Sequence, residues 1–171
     1  MNPLSHIIRF VFIMAAQILI FNHLNFASGL IYPQLYVLFL LFLPAEMVTW
    51  VVIIIGFFTG LLVDLSQQTF GMHAFACVTL AFVRPGVLSF LSPREGYDFN
   101  SSPTISDQGL AWFVSYAAIL ASLHHACLFM IEKYSWLNFI DSFLKILLSA
   151  LFTVIISVVF QLLFNPPKAK S

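Results

Sequence analysis

Long apolar runs occupy most of this chain, and they restrict it to folds that lipid can solvate. Of its 171 residues, 61% are hydrophobic and 8% are charged, whereas globular domains are about a quarter charged. A helix needs about 20 apolar residues to cross the hydrocarbon core of a bilayer. Runs of about this length recur along the chain, so the sequence predicts an all-α, polytopic integral membrane protein.

The apolar runs divide the chain into about six predicted transmembrane helices within a single domain, residues 1–171. Their predicted bounds are near 7–25, 31–44, 46–65, 71–91, 109–132 and 138–164. The second span is short and ends at Pro44, so we expect it either to cross or to turn back inside the bilayer. The polar stretch 92–109 is predicted to be a loop.

The positions of the basic residues favour six spans with both termini in the cytoplasm. Most of these residues then lie on or near the cytoplasmic side, as the positive-inside rule requires. They are Arg9, Arg84, Arg94, Lys168 and Lys170. The loop 92–109 is cytoplasmic in this arrangement. Arg84 lies within the fourth span, and we expect its side chain to extend to the cytoplasmic headgroups.

Polar and small residues recur at helical spacing in the last two spans. In the sixth span they follow one ridge: Asp141, Lys145, Ser149, Thr153, Ser157 and Gln161. In the fifth span they form one face: Ala111, Ser115, Ala118, Ser122, His125, Phe129 and Glu132. Small residues let helices approach closely. We therefore interpret both sets as helix-packing faces, used either between these two spans or against a partner helix.

The depth of several polar residues places them together in the outer half of the membrane. At 1.5 Å per residue, His125 lies roughly 10 Å below the outer end of its span, and Lys145 is about as deep. We predict an outer-half polar cluster of Asp64, His125, Glu132, Asp141 and Lys145. His125 and Glu132 are two helical turns apart, which is too far for the paired ligands of a zinc site, so no metal is predicted.

The sequence carries no pattern typical of an enzyme. It has no G-x-S-x-G motif, no phosphate-binding loop and no Cys–His spacing that indicates a nucleophile. Its formal net charge is +0, which gives no basic field to attract nucleic acid. We expect a non-enzymatic protein without a cofactor.

The third span and the turn after it carry the most specific motif of the chain. It reads Gly56-Phe57-Phe58-Thr59-Gly60-Leu61-Leu62-Val63-Asp64, and six residues later Gly71-Met72-His73-Ala74 follow. Gly56 and Gly60 open one helix face to a neighbouring backbone. Asp64 can accept hydrogen bonds from the start of the next span, and Gly71 permits the sharp return. We favour this structural role for Asp64 over contact with a ligand.

This motif resembles the signature of the rod shape-determining protein MreD family, and the chain length and span number also fit. The resemblance implies a bundle like the S-components of energy-coupling-factor vitamin transporters. It also implies a non-enzymatic scaffold of the cell-elongation complex in the bacterial inner membrane. Such a scaffold binds the bitopic protein MreC and supports lateral peptidoglycan synthesis by the glycosyltransferase RodA and its partner transpeptidase, linked to MreB inside the cell.

Two partner faces and two other functions remain open at this point. We expect the MreC helix to lie either on the Gly56 and Gly60 face or on the ridge that contains Ser149 and Thr153. In the alternative function, an S-component-like carrier, the outer-half polar cluster lines a vitamin pocket. A lipid-processing enzyme that uses the histidines is the third hypothesis.

Overall fold

The structure is a computed structural model that describes residues 3–24, 29–97, 102–132 and 139–164. The secondary structure of these residues is predominantly helical. Four of the described helices are long and apolar enough to cross a membrane, and a shorter apolar stretch covers Ile7–His23. The all-α, membrane-type architecture predicted from the apolar runs is therefore present.

The long helices begin and end close to the predicted span limits in the second half of the chain. In chain order the helices are α1 (Pro3–Leu19), α2 (Val37–Leu41), α3 (Thr49–Gln67), α4 (Met72–Phe90), α5 (Ile105–Gln108), α6 (Leu110–Glu132) and α7 (Phe139–Phe164). A short 3-10 helix, Phe21–His23, follows α1. The predicted fourth span, 71–91, nearly coincides with α4.

Residues 29–48, which we call the core segment, do not form a continuous transmembrane helix. The second predicted span, 31–44, is not one helix, because α2 covers only five of its residues. Residues 35–43 are all buried, with exposures of 7% or less. Backbone that is not helical is tolerated at membrane depth only where protein encloses it. The burial of residues 33–43 meets this condition.

Helices from several parts of the chain pack against the core segment. The ring of Phe10 in α1 lies 4.8 Å from that of Phe39, centroid to centroid. The rings of Phe113 in α6 and Phe160 in α7 lie 6.1 and 5.8 Å from that of Phe42. Helices α3 and α4 also contact α2. The core segment is thus the apolar centre of the bundle, and the long helices turn other apolar side chains outward.

The polar stretch 92–109 is partly docked on the bundle. The ring of Tyr97 lies 5.9 Å, centroid to centroid, from that of Trp112 in α6. The hydroxyl of Tyr97 donates to a backbone carbonyl at the end of α4, at 2.6 Å, and partial burial raises the pKa of this phenol. Ile105 in α5 is buried. The turn at 93–96 is exposed, so other molecules can reach this turn.

Candidate functional site

Gly56 and Gly60 bring α3 into direct contact with the backbone of α4. A Cβ atom added at Gly60 would lie 2.5 Å from the N and Cα atoms of Ala74 and from the carbonyl oxygen of His73. At Gly56 it would lie 3.1 Å from the carbonyl oxygen of Cys77. This face therefore packs within the chain. The expectation that a partner helix uses it is wrong, because α4 already fills the space.

Asp64 joins the end of α3 to the start of α4. Its Oδ1 atom accepts hydrogen bonds from Thr69 Oγ1 at 2.6 Å and from the His73 N–H at 3.0 Å, and its Oδ2 atom accepts one from the Ala74 N–H at 2.9 Å. The first N–H groups of a helix lack partners within the helix, and a negative charge is favourable there. Gly71, with φ of 81°, precedes α4. The hydrogen bonds predicted between Asp64 and the next span are thus present.

The middle of the polar ridge on α7, which contains Ser149 and Thr153, faces the core segment. Ser149 Oγ accepts a hydrogen bond from the Tyr32 N–H at 3.0 Å, and Thr153 Oγ1 accepts one from the Gln34 N–H at 3.2 Å. Both side chains are buried. The predicted packing face therefore contacts non-helical backbone of the same chain. The expectation that Ser149 and Thr153 meet a partner helix is wrong.

Side chains of α1 and α6 pair with further backbone groups of the core segment. Gln17 Oε1 accepts a hydrogen bond from the Leu35 N–H at 2.6 Å. The hydroxyl of Tyr116 donates to the Leu41 carbonyl at 3.2 Å. A buried backbone polar group without a partner costs free energy. Polar side chains within the apolar helices thus compensate for the missing helical hydrogen bonds of the core segment.

Arg84 lies inside the bundle, and the expectation that it extends to the headgroups is wrong. Its side chain is 1% exposed. Nε donates a hydrogen bond to the Tyr116 hydroxyl at 2.8 Å, and a terminal nitrogen donates to the carbonyls of Leu43 and Pro44. A guanidinium group offers five N–H donors in a fixed fork, so it suits the carbonyls that follow α2. Arg84 thereby holds the C-terminal part of the core segment.

Tyr36, His73 and His124 form a buried network between the core segment, α4 and α6. The hydroxyl of Tyr36 lies 2.8 Å from His73 Nδ1 and 3.0 Å from His124 Nε2. Cys77 Sγ is 3.9 Å from the same His124 nitrogen. A phenol has one proton to donate, so it can donate to one ring and accept from the other. The network holds the middle of the core segment against two helices.

His125 and Lys145 meet at Tyr32, near the N-terminal end of the core segment. His125 Nε2 lies 3.3 Å from the Tyr32 carbonyl oxygen and 3.4 Å from Thr153 Oγ1. Lys145 Nζ lies 4.5 Å from the centroid of the Tyr32 ring and 5.2 Å from that of Phe129. These are cation–π distances. Both residues therefore position Tyr32.

The predicted outer-half polar cluster does not assemble as a single site. In the described structure the Asp64 carboxylate is hydrogen-bonded within the α3–α4 turn, whereas His125 and Lys145 contact Tyr32. Asp141 is exposed, and the side chain of Glu132 lies outside the described part of the chain. Within the described ranges, no group of three or more His, Cys, Asp or Glu side chains could hold a metal ion.

The sequence does not predict the roles of Gln17, Tyr36 and Tyr116. Each lies in an apolar run, and tyrosines are usually enriched at the membrane surfaces. A tyrosine inside such a run indicates that its hydroxyl has an internal partner. That signal identifies the residue, but it does not identify the partner.

These contacts define an α-helical membrane-type bundle built around a largely buried segment that is mostly not helical. Comparison of the chain with protein-family models, with curated proteins and with solved structures finds no match.

We expect Thr153→Val to destabilise the bundle by about 1–3 kcal/mol, because the Gln34 N–H loses its acceptor while it stays buried. Thr59→Val is the matched control. Thr59 is equally buried, at 1% exposure, but its hydroxyl donates to the Ile55 carbonyl of its own helix. Thermal unfolding in detergent compares the two. Equal unfolding temperatures for both variants would contradict the assigned role of Thr153.

Proposed function

We propose that this chain is an MreD-like, non-enzymatic scaffold of the cell-elongation complex in the bacterial inner membrane. It binds an MreC-like bitopic protein and supports lateral peptidoglycan synthesis and cell shape. The elongation glycosyltransferase, its transpeptidase and MreB are indirect partners. The observation that carries this proposal is the α3–α4 hairpin, because the four residues of the motif each have a structural task in it. They are Gly56, Gly60, Asp64 and Gly71.

The proposal includes six crossings with both termini in the cytoplasm, and the direction of the core segment, which runs parallel to α4, supports this topology. Tyr36 contacts His73 near the start of α4, and the Leu43 carbonyl contacts Arg84 eleven residues later. This is roughly 16 Å along the helix axis. The core segment therefore runs beside α4 for about half the thickness of a hydrocarbon core of about 30 Å. The helix α1 supplies the remaining crossing.

The engagement of the polar side chains favours a scaffold over a vitamin carrier. His125 and Lys145 would line the pocket of a carrier, but both contact Tyr32 of the core segment. Helix α7, which carries Lys145, also places Ser149 and Thr153 on the backbone of the core segment. A vitamin would have to displace these contacts, whereas a scaffold needs them to keep the bundle in one shape.

The face of α6 with small residues is the proposed site for the transmembrane helix of the partner. Ala111, Ser115 and Ser122 are exposed, and Ala118 is half-buried. Their spacing of four, three and four residues puts them on one helix face. Small residues let a second helix approach closely. The Gly56 and Gly60 face and the ridge with Ser149 and Thr153 already contact other parts of the same chain. The α6 face is therefore the one that we propose for the partner helix.

Co-purification with the MreC-like protein in detergent tests this function. We expect Ser115→Leu combined with Ser122→Leu to lower recovery of the partner about tenfold, a loss of about 1.4 kcal/mol, because larger side chains keep the helices apart. Ser89→Leu, on an exposed position of α4, is the control and should leave recovery unchanged.

Two outcomes would count against the proposal in different ways. Undiminished recovery with the double variant would reject the α6 face. Failure of the unaltered chain to recover the MreC-like protein, together with unchanged rod shape when the chain is depleted from its host, would reject the scaffold itself.

A further inference from the structure

Tyr36 bridges two histidine rings across the middle of the bundle. Its hydroxyl lies 2.8 Å from His73 Nδ1 and 3.0 Å from His124 Nε2, and both rings are buried. One partner is enough to satisfy a buried hydroxyl. This hydroxyl instead joins two groups that can each gain and lose a proton. A chain of such groups inside a membrane protein is typical of a proton relay.

The second ring nitrogen of His124 is an open end of this network. In the described part of the chain, the Nδ1 atom of this buried ring has no hydrogen-bond partner. Buried polar atoms are nearly always paired, so an unpaired one requires an explanation. A network that served packing alone would gain nothing from an unpaired nitrogen. A relay needs such an atom, because a proton must find a free lone pair at which to enter.

The unpaired nitrogen also sets the direction of the hydrogen bonds. A neutral imidazole has one N–H and one lone pair, and a buried N–H without an acceptor is rarer than an acceptor without a donor. His124 therefore carries its proton on Nε2 and donates it to the Tyr36 oxygen. Tyr36 must then donate to His73 Nδ1, which leaves the N–H of His73 on Nε2.

One end of the network reaches the turn between α3 and α4. His73 is in the first turn of α4, and its backbone N–H donates to the Asp64 carboxylate at 3.0 Å. A helix of about 20 residues spans the hydrocarbon core, so the ends of α4 lie near the membrane surfaces. A proton that leaves His73 is therefore released near a surface and beside a negative charge.

The other end of the network leads into the polar ridge on α7. The ring of His125, next to His124 in α6, lies 5.4 Å from that of His124, centroid to centroid. Its Nε2 atom is 3.4 Å from Thr153 Oγ1. The ridge continues through the buried side chains of Ser157 and Gln161, and Gln161 Nε2 is also a buried atom without a partner among the described residues. Polar groups thus follow one another from the start of α4 to near the end of α7.

We infer that Tyr36 relays protons between His124 and His73, and that the buried polar groups carry protons across the bundle. In one transfer, a proton binds His124 Nδ1 and the Nε2 proton of His124 moves to the Tyr36 oxygen. The hydroxyl proton of Tyr36 moves to His73 Nδ1, and His73 releases the proton from its Nε2 atom. One proton enters and one leaves, so no residue changes its charge. The reverse sequence restores the first arrangement and carries a proton in the opposite direction.

Proton flux into liposomes that contain the purified full chain tests the relay. A potassium gradient with valinomycin sets the membrane potential, and a pH-sensitive dye inside the liposomes reports the flux. We expect the unaltered chain to carry protons faster than liposomes without protein do. Tyr36→Phe keeps the ring and removes the hydroxyl, so it should reduce the flux to the level of the empty liposomes.

Tyr116→Phe is the matched control. Tyr116 and Tyr36 are both 0% exposed, and each hydroxyl has two polar partners. The partners of Tyr116 are a guanidinium group, which keeps its protons in proteins, and a backbone carbonyl, which has none to give. Both substitutions should lower the unfolding temperature in detergent, but only Tyr36→Phe should lower the flux. A role in packing alone does not separate the two variants in this way.

NMR of nitrogen-labelled histidine in the unaltered chain gives a second measurement, which requires no variant to fold. The signals of the ring nitrogens show which atom carries the proton once each ring is assigned through its backbone. For neutral rings we expect His124 and His73 to be protonated on Nε2 and bare on Nδ1.

Several results would overturn the relay. It is wrong if the unaltered chain carries protons no faster than empty liposomes, if Tyr36→Phe keeps the flux, or if Tyr116→Phe loses as much flux as Tyr36→Phe. A proton on Nδ1 of neutral His124 would also overturn it, because the atom at which a proton enters would be occupied. None of these measurements involves the MreC-like protein, so the relay and the scaffold can fail separately.

Discussion

Gly60→Ala is expected to prevent α3 and α4 from packing at their present distance and to lower the unfolding temperature by roughly 10 °C. The added Cβ would lie 2.5 Å from backbone atoms of Ala74 and His73. Backbone atoms in a helix cannot turn aside as the end of a flexible side chain can. The helices must separate, and overpacking of this kind costs about 3 kcal/mol or more.

Two other glycines provide a graded control for this experiment. Gly56→Ala should lower the unfolding temperature less than Gly60→Ala does, because the nearest contact of its added Cβ would be the Cys77 carbonyl oxygen at 3.1 Å. Gly86→Ala should be neutral or slightly stabilising, since nothing lies within 4 Å of its added Cβ and alanine favours helix. Thermal unfolding of the three variants in detergent gives the comparison. If Gly60→Ala unfolds at the same temperature as Gly86→Ala, the close approach of α3 to α4 is wrong.

Asp64→Ala is expected to lower the free energy of unfolding by about 3–5 kcal/mol, because two helix N–H groups and a hydroxyl lose their acceptor at once. The N–H groups belong to His73 and Ala74, and the hydroxyl belongs to Thr69. Water reaches this site poorly, since the Asp64 side chain is 3% exposed. The loss is therefore not compensated.

The free energy of unfolding of Asp64→Asn should lie between those of the unaltered chain and Asp64→Ala, because the amide retains one acceptor oxygen. Glu95→Ala is the control, since Glu95 is an exposed carboxylate in the turn at 93–96, outside any helix, and exposed substitutions usually change stability by less than about 0.5 kcal/mol. Thermal or denaturant unfolding in detergent measures all three. Equal stability of Asp64→Ala and Glu95→Ala would remove Asp64 from its role as the cap of α4.

The local features of the α3–α4 hairpin could be predicted because they depend on residues that are close in sequence. Asp64 and the groups that it binds lie within ten positions of one another. Two glycines one helical turn apart predict close packing on one face, whatever helix supplies the neighbour. The apolar length of a run sets the length of a helix, which is why α4 nearly coincides with the range 71–91.

The roles of the polar residues could not be predicted, because they depend on partners far away in the chain. The spacing of Ser149 and Thr153 predicts a face, but both a partner helix and an internal segment satisfy such a face. The Gln34 N–H that Thr153 binds is 119 positions away. Likewise, a basic residue near a helix end usually reaches the membrane surface, and only folding brings the carbonyls of Leu43 and Pro44 to Arg84.

By itself, the sequence determined that this chain forms long apolar helices, how long these helices are, and the turn that joins α3 to α4. These features depend on apolar length and on short-range hydrogen bonding, which are local properties. Only the tertiary structure decided that the apolar run 31–44 is not one continuous helix. An isolated run of this kind would have to satisfy its own backbone in lipid by forming one. Here, side chains from α1, α4, α6 and α7 supply the donors and acceptors instead.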